Sequence, residues 1–255
     1  MDSKVVIITG ATGGIGKEIV LSLFEAGHHI VVIDINQYEI DNMIDAYNSS
    51  KIMGFNCDIT NEAKIINIFA QIYNKYKRID GLVNNAGMQY VSNIEFLPTS
   101  RFRQMIDLLL TAPFIATKHV LPYMKEKKFG RIINMASING LIGFSGKSAY
   151  NSAKHGLIGL TRVSALETAT FGITVNAVCP GYVDTDLVRN QLSEIAEVRG
   201  ISTEEVLSKV IYSLVPQKRL LKPKEIAHVV RFLMEESSGG ITGQTIVVDG
   251  GYTAQ

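Results

Sequence analysis

The sequence predicts an α/β protein, built as one doubly wound domain with a mostly parallel seven-stranded sheet flanked by helices. Three observations carry that prediction. Short β-branched runs alternate with amphipathic segments along the chain, a glycine-rich turn separates the first such pair, and no Pro/Ser-rich linker or internal repeat divides the 255 residues.

The elements follow in order. "VVIIT" (5–9) is too short for a helix and apolar throughout, as a strand buried on both faces must be. "GGIGKEIVLSLFEAG" (13–27) sets Ile15, Ile19, Leu23 and Phe24 on one helical stripe and stops at Gly27. "IVVID" (30–34) is the second buried strand, and "IMGFNC" (52–57) the third. A helix over roughly 61–77 leads into "DGLVN" (80–84). A long helix from about Thr99 precedes the strand "RIINMA" (131–136). A helix from about Tyr150 to Phe171 then leads to "ITVNAVC" (173–179). The last helix starts near Pro223, a residue suited to the first helical turn, and "QTIVVD" (244–249) ends the sheet. Short links between alternating strands and helices imply right-handed crossovers. Residues 186–220 break the rhythm with two amphipathic patterns, about 187–199 and 203–214, and no strand between them. Such an insertion after a parallel strand suits a lid over a pocket.

Composition excludes several classes. Lys and Arg number 25 against 24 Asp and Glu, which gives no electrostatic case for nucleic acid or a membrane surface. No apolar run approaches the ~18 residues of a membrane helix, and no charged-then-apolar leader precedes the first strand, so a soluble cytoplasmic protein is expected. Cys57 and Cys179 lack metal-ligand spacing and are read as buried thiols. The five histidines form no ligand cluster, so no catalytic metal is expected.

Two stretches carry chemistry. "TGATGGIG" (9–16) lies between the first strand and first helix, with Gly10, Gly14 and Gly16 spaced to let backbone approach a pyrophosphate at the helix start. This is the phosphate-binding turn of a Rossmann dinucleotide fold. Asp34 ends the second strand, where a carboxylate accepts ribose hydroxyls and repels a 2′-phosphate, so NAD is expected rather than NADP. In the second stretch, Tyr150 and Lys154 are four apart on a helix and share a face. The ammonium should lower the phenol from its usual ~10 and let it exchange protons near neutral pH. Ser137, at the end of the fifth strand, could bond the same substrate oxygen.

Together, "TGATGGIG", "NNAG" (84–87), Ser137, Tyr150-x3-Lys154 and "PGYVDT" (180–185) resemble the short-chain dehydrogenase/reductase family over the whole chain. The resemblance implies hydride transfer with Ser137, Tyr150 and Lys154 as the catalytic group. It implies that Thr12 and Ile15 join the glycines at the cofactor. Asp58 and Ile59 would meet the adenine, Asn85 and Gly87 would lie beside the dinucleotide, and Val183 and Thr185 would contact the carboxamide. It further implies a homotetramer packed through the long helices and the C-terminal segment. Many members carry an asparagine where Leu109 stands, its main-chain carbonyl holding a water that relays protons to the lysine. Pro113 has no N–H to give the Leu109 carbonyl, which leaves that carbonyl free for the same task.

Within the family, "NNAGMQY" (84–90), "GKSAYNSAKHG" (146–156), residues 165–192 and "DGGYTAQ" are similar to the bacterial D-3-hydroxybutyrate dehydrogenases. That similarity implies a small hydroxy-acid substrate whose carboxylate is held by Gln89, Lys147 and Gln191, with Asn139 also facing it. Asn139 stands where those enzymes have histidine, and Tyr182 and Tyr252 where they have tryptophan. Alternatives within the family are a 3-oxoacyl-[acyl-carrier-protein] reductase and an acetoin or diol dehydrogenase. A non-catalytic nucleotide sensor could have dispensed with Tyr150 or Lys154.

Overall fold

The computed structural model describes residues 3–254, apart from the side chains at positions 191, 194, 195, 197–199 and 210. Seven strands form one sheet: β1 (Val5–Thr9), β2 (His29–Asp34), β3 (Ile52–Asn56), β4 (Gly81–Asn84), β5 (Gly130–Met135), β6 (Ile173–Pro180) and β7 (Thr245–Val248). Their order is β3-β2-β1-β4-β5-β6-β7, and every pairing is parallel. The helices are α1 (Gly14–Glu25), α2 (Gln37–Tyr47), α3 (Glu62–Tyr76), α4 (Thr99–Ile106), α5 (Ala112–Lys127), α6 (Ser148–Thr168), α7 (Asp186–Arg199), α8 (Thr203–Glu205), α9 (Tyr212–Leu214) and α10 (Pro223–Met234).

The sheet is apolar on both faces because helices cover both. Val6 and Ile8 of β1 point to one layer with Ile19 and Leu23 of α1 and Ile226 and Val230 of α10. Val5 and Ile7 point to the other, with Phe69 and Ile72 of α3 and Val120 of α5. That period-two alternation within an unbroken apolar run is the mark of a central parallel strand. Helix α2 is absent from the sequence reading, since its mean apolar character is slight. The overlooked signal is its start, where Asn36 Oδ1 accepts the Glu39 N–H, and its buried pair Ile40 and Met43.

Residues 186–214 form a helical excursion with its own small core of Leu192, Ala196, Val206, Ile211 and Val215. Its exit is tied to the chain's end: the Gln217 N–H donates to the Gly250 carbonyl, and Tyr182 meets Tyr252 edge to face at 6.2 Å. At the amino ends of β1 and β2, His28 is buried and its Nδ1 accepts the Lys4 N–H at 3.3 Å. Burial first, then the charges of Lys4 and Arg231, lower its pKa from 6.5 to about 4.

The folded state therefore refuses a proton that the unfolded chain accepts below pH 6.5. Stability from neutral His28 is complete above that pH and is lost as pH falls towards 4, by about 3 kcal/mol at most. Urea midpoints measured across this window should fall with acid. His28→Asn, which keeps an acceptor for Lys4, should flatten that dependence.

Candidate functional site

Strand order reverses between β1 and β4, and a cavity of about 430 Å³ opens beyond the carboxyl ends of the strands there. Gly10 leaves β1 with φ +60, and a Cβ on it would stand 2.6 Å from Ala86 Cα. A Cβ on Gly16 would meet the Gly10 carbonyl oxygen at 2.3 Å, so α1 can start this close to β1 only with glycine there. The turn is laced to the end of β4: Asn85 Nδ2 donates to the carbonyls of Thr9 (3.1 Å) and Gly10 (2.8 Å). Thr9 Oγ1 accepts the N–H groups of Asn85 and Ala86. Thus Asn85 serves the turn with its side chain while lining the cavity.

Gly14, Ile15 and Gly16 open α1 on the cavity wall, where first-turn N–H groups lack helical acceptors. The helix has no acidic first-turn residue and no side-chain cap to compete with an anion there. Asp34 lies at the end of β2 on the same wall. Its Oδ2 accepts the Thr12 N–H (3.1 Å), and its Oδ1 those of Ile35 (2.8 Å) and Asn36 (3.2 Å), which fixes the carboxylate's direction. The Thr12 N–H thus holds Asp34 in place beside the glycine turn. Asp58 and Ile59, then Gly87, Val183 and Thr185, complete this half. These residues fit an elongated ligand with a diphosphate at α1 and a diol at Asp34, which is a dinucleotide.

At the other end, Ser137 follows β5, and α6 brings Tyr150 and Lys154 beside it. Ser137 and the Tyr150 hydroxyl are hydrogen-bonded, and Ser137 Oγ also accepts the Asn139 N–H at 3.1 Å. Lys154 is buried, donates to the Met135 carbonyl at 2.5 Å, and lies 5.5 Å from the Tyr150 ring centre. Helix α6 is fixed on the sheet by a chain of amides: Asn84 Nδ2 donates to Asn134 Oδ1 (2.8 Å), and Asn134 Nδ2 to Thr161 Oγ1 (2.9 Å).

One sequence expectation is corrected. The Tyr150 phenol is not lowered but pushed up to about 12, because burial outweighs the bond from Ser137. Burial likewise lowers Lys154 to about 8. Sequence reasoning also missed Cys179, whose buried thiol meets the Ser137 backbone and is pushed up to about 11, leaving a neutral neighbour.

Lys147, Gln89 and Asn139 line the cavity near Tyr150. Lys147 is 8% exposed and forms no ion pair among the described residues. Burial lowers it to about 8. Gln89 Nε2 is buried without a hydrogen-bond partner. The Gln191 side chain lies outside the described residues. Among those described, no helix is long and apolar enough to cross a membrane, and no three His, Cys, Asp or Glu converge as metal ligands.

A family model described as short chain dehydrogenase matches residues 4–196. The chain belongs to the short-chain dehydrogenase family. Its relatives include the oxidoreductase YxjF of Bacillus subtilis, named as uncharacterized, at 53% identity over the full length of both chains. D-beta-hydroxybutyrate dehydrogenase of Rhizobium meliloti is 37% identical over 99% of this chain and all of that protein. Among solved structures, an actinorhodin polyketide ketoreductase variant with NADPH is similar at a TM-score of 0.94. It is 33% identical, over 100% of this chain and 98% of that one. Membership of this family makes the chain an oxidoreductase.

For a short-chain dehydrogenase, residues 107–111 are informative. Pro113 withholds the N–H that would reach the Leu109 carbonyl, and the helix widens into a five-residue turn over Asp107–Thr111, with the Ala112 N–H on the Asp107 carbonyl. Buried Leu109 packs with Ala149, Ala153 and Tyr150 of α6, so the relieved carbonyl belongs to the segment against the Tyr150 face. The amide chain above gives a direct test. Asn134→Ala should leave the Asn84 amide without its acceptor and remove the bond that Thr161 Oγ1 accepts, lowering stability by about 2–3 kcal/mol, read as a lower Tm together with reduced turnover.

Proposed function

We propose that this short-chain dehydrogenase is an NAD-dependent enzyme that interconverts D-3-hydroxybutyrate, or a closely similar small 3-hydroxy acid, with its 3-keto acid. The observation that carries the proposal is the pair beside Tyr150: among the described residues, a buried ammonium on Lys147 has no ion pair and a buried amide nitrogen on Gln89 has no partner. A buried unpaired donor is costly, and a carboxylate satisfies both groups at once. Asn139, on the same wall, adds a further polar contact, and Gln191 on α7 is proposed as a third amide. Tyr182, Leu187 and Val188 also line the cavity, so α7 to α9 act as a lid over a short substrate.

A bound nicotinamide dinucleotide supplies the hydride acceptor at the carbinol carbon. Asp34, with Asp58 and Ile59 nearby, favours NAD because a fixed carboxylate repels a 2′-phosphate. Gly10, Gly14, Ile15 and Gly16 bind the diphosphate. Asn85, Gly87, Val183 and Thr185 border the nicotinamide half, and Thr12 acts through Asp34. Ser137 donates to the reacting oxygen, and the Tyr150 hydroxyl exchanges a proton with it. Lys154 places its positive charge beside the phenol and supports the phenolate as it forms.

With burial pushing the phenol up to about 12, Tyr150 holds its proton at neutral pH and has it to give in keto-acid reduction. Oxidation should accelerate as pH rises above neutral, while reduction slows. A homotetramer forms part of the proposal, supported by Phe114 on α5 and Val163 and Leu166 on α6, large apolar side chains exposed on the two long helices.

Absorbance at the NADH band decides the substrate. Turnover is expected with D-3-hydroxybutyrate and NAD; activity confined to an acetoacetyl thioester with NADPH would instead make the chain a 3-oxoacyl reductase. Tyr150→Phe should reduce kcat by about a thousandfold or more while NADH binding, followed by fluorescence, persists. Lys147→Met should raise KM for the hydroxy acid at least about tenfold and leave kcat comparatively unaffected.

A further inference from the structure

We infer that the ring of Phe144 positions the Lys147 ammonium in the cavity and thereby sets the affinity for the carboxylate end of the substrate. This rests on the hydroxy-acid proposal above. A buried lysine ordinarily pairs with a carboxylate or extends its stem to water. Among the described residues Lys147 pairs with no carboxylate: its ammonium sits over the face of Phe144, 4.6 Å from the ring centre. An aromatic face attracts a cation without neutralising it, so the full charge stays available to an incoming anion.

The backbone makes the arrangement rigid. The Lys147 N–H donates to the Phe144 carbonyl at 3.2 Å, closing a turn whose third residue, Gly146, has φ +78. The Gly146 carbonyl accepts the Ser92 N–H at 2.9 Å, and Ser92 pairs with Lys147 as an isolated parallel bridge. Ser92 lies three residues beyond Gln89. One turn therefore fixes the ammonium, the ring beneath it and the loop segment that follows the unpartnered amide. Phe144 is a positioning residue: it acts on the ligand through Lys147.

The experiment compares wild type, Phe144→Leu, Phe144→Tyr and Lys147→Met, with D-3-hydroxybutyrate and its uncharged methyl ester as substrates. NADH affinity and Tm are measured beside KM and kcat. Phe144→Leu should raise KM for the acid about fivefold, leaving kcat, NADH binding and the ester KM unchanged. Phe144→Tyr, which keeps the aromatic face, should restore the wild-type KM. If Phe144→Leu leaves the acid KM unchanged while Lys147→Met raises it, the ring has no positioning role and the inference fails alone. An equal rise for acid and ester would make the ring merely structural, which also overturns it. If Lys147→Met has no effect on the acid KM, the hydroxy-acid proposal falls and the inference falls with it.

Discussion

The site depends on keeping a positive charge where burial opposes it. Lys154 lies within α6, against the sheet, and its ammonium is held by a main-chain carbonyl of β5. Desolvation weakens its hold on the proton, and the same desolvation strengthens its field on the phenol one turn earlier. Such a charge is useful only if its distance to the phenol is fixed. That requirement accounts for the inflexible surroundings: a long helix, a buried amide chain from Asn84 through Asn134 to Thr161, and Ser137 held by its own turn. Loosening any of them would let the ammonium find another acceptor.

The cavity is electrically asymmetric. At its β2 end, the Asp34 carboxylate is saturated on its inner side by three backbone donors and can accept only from groups lying in the cavity. At its other end stands Lys147, charged and without an ion pair among the described residues. Between them lies the start of α1, which favours negative charge through its free N–H groups. A ligand with hydroxyls, a diphosphate and then a carboxylate-bearing partner meets complementary chemistry in that order.

Much of this was legible in the chain. The seven strands could be read because a parallel strand covered on both faces must be almost wholly apolar, and "VVIIT" and "IVVID" have no other stable use. Tyr150 and Lys154 were legible because helical geometry alone puts residues four apart side by side. What escaped depends on surroundings that residue spacing does not encode. Helix α2 buries little, so its periodicity is faint. The shift of Tyr150 was read with the wrong sign because sequence displays the nearby charge but hides the depth of burial. Phe144 carries no mark in the sequence, because only the folded turn brings its ring beneath an ammonium. The bond from the Thr12 N–H to Asp34 likewise joins two residues whose spacing gives no hint of it.

The knitting of Gln217 to Gly250, with Tyr252 lodged against Tyr182, makes the tail and the helical cover one mechanical piece. The final residues are thus no inert fringe. A fluorophore placed beside Tyr252 would therefore sense the helical excursion as well as its own segment, and a bulky group attached there would burden the same joint.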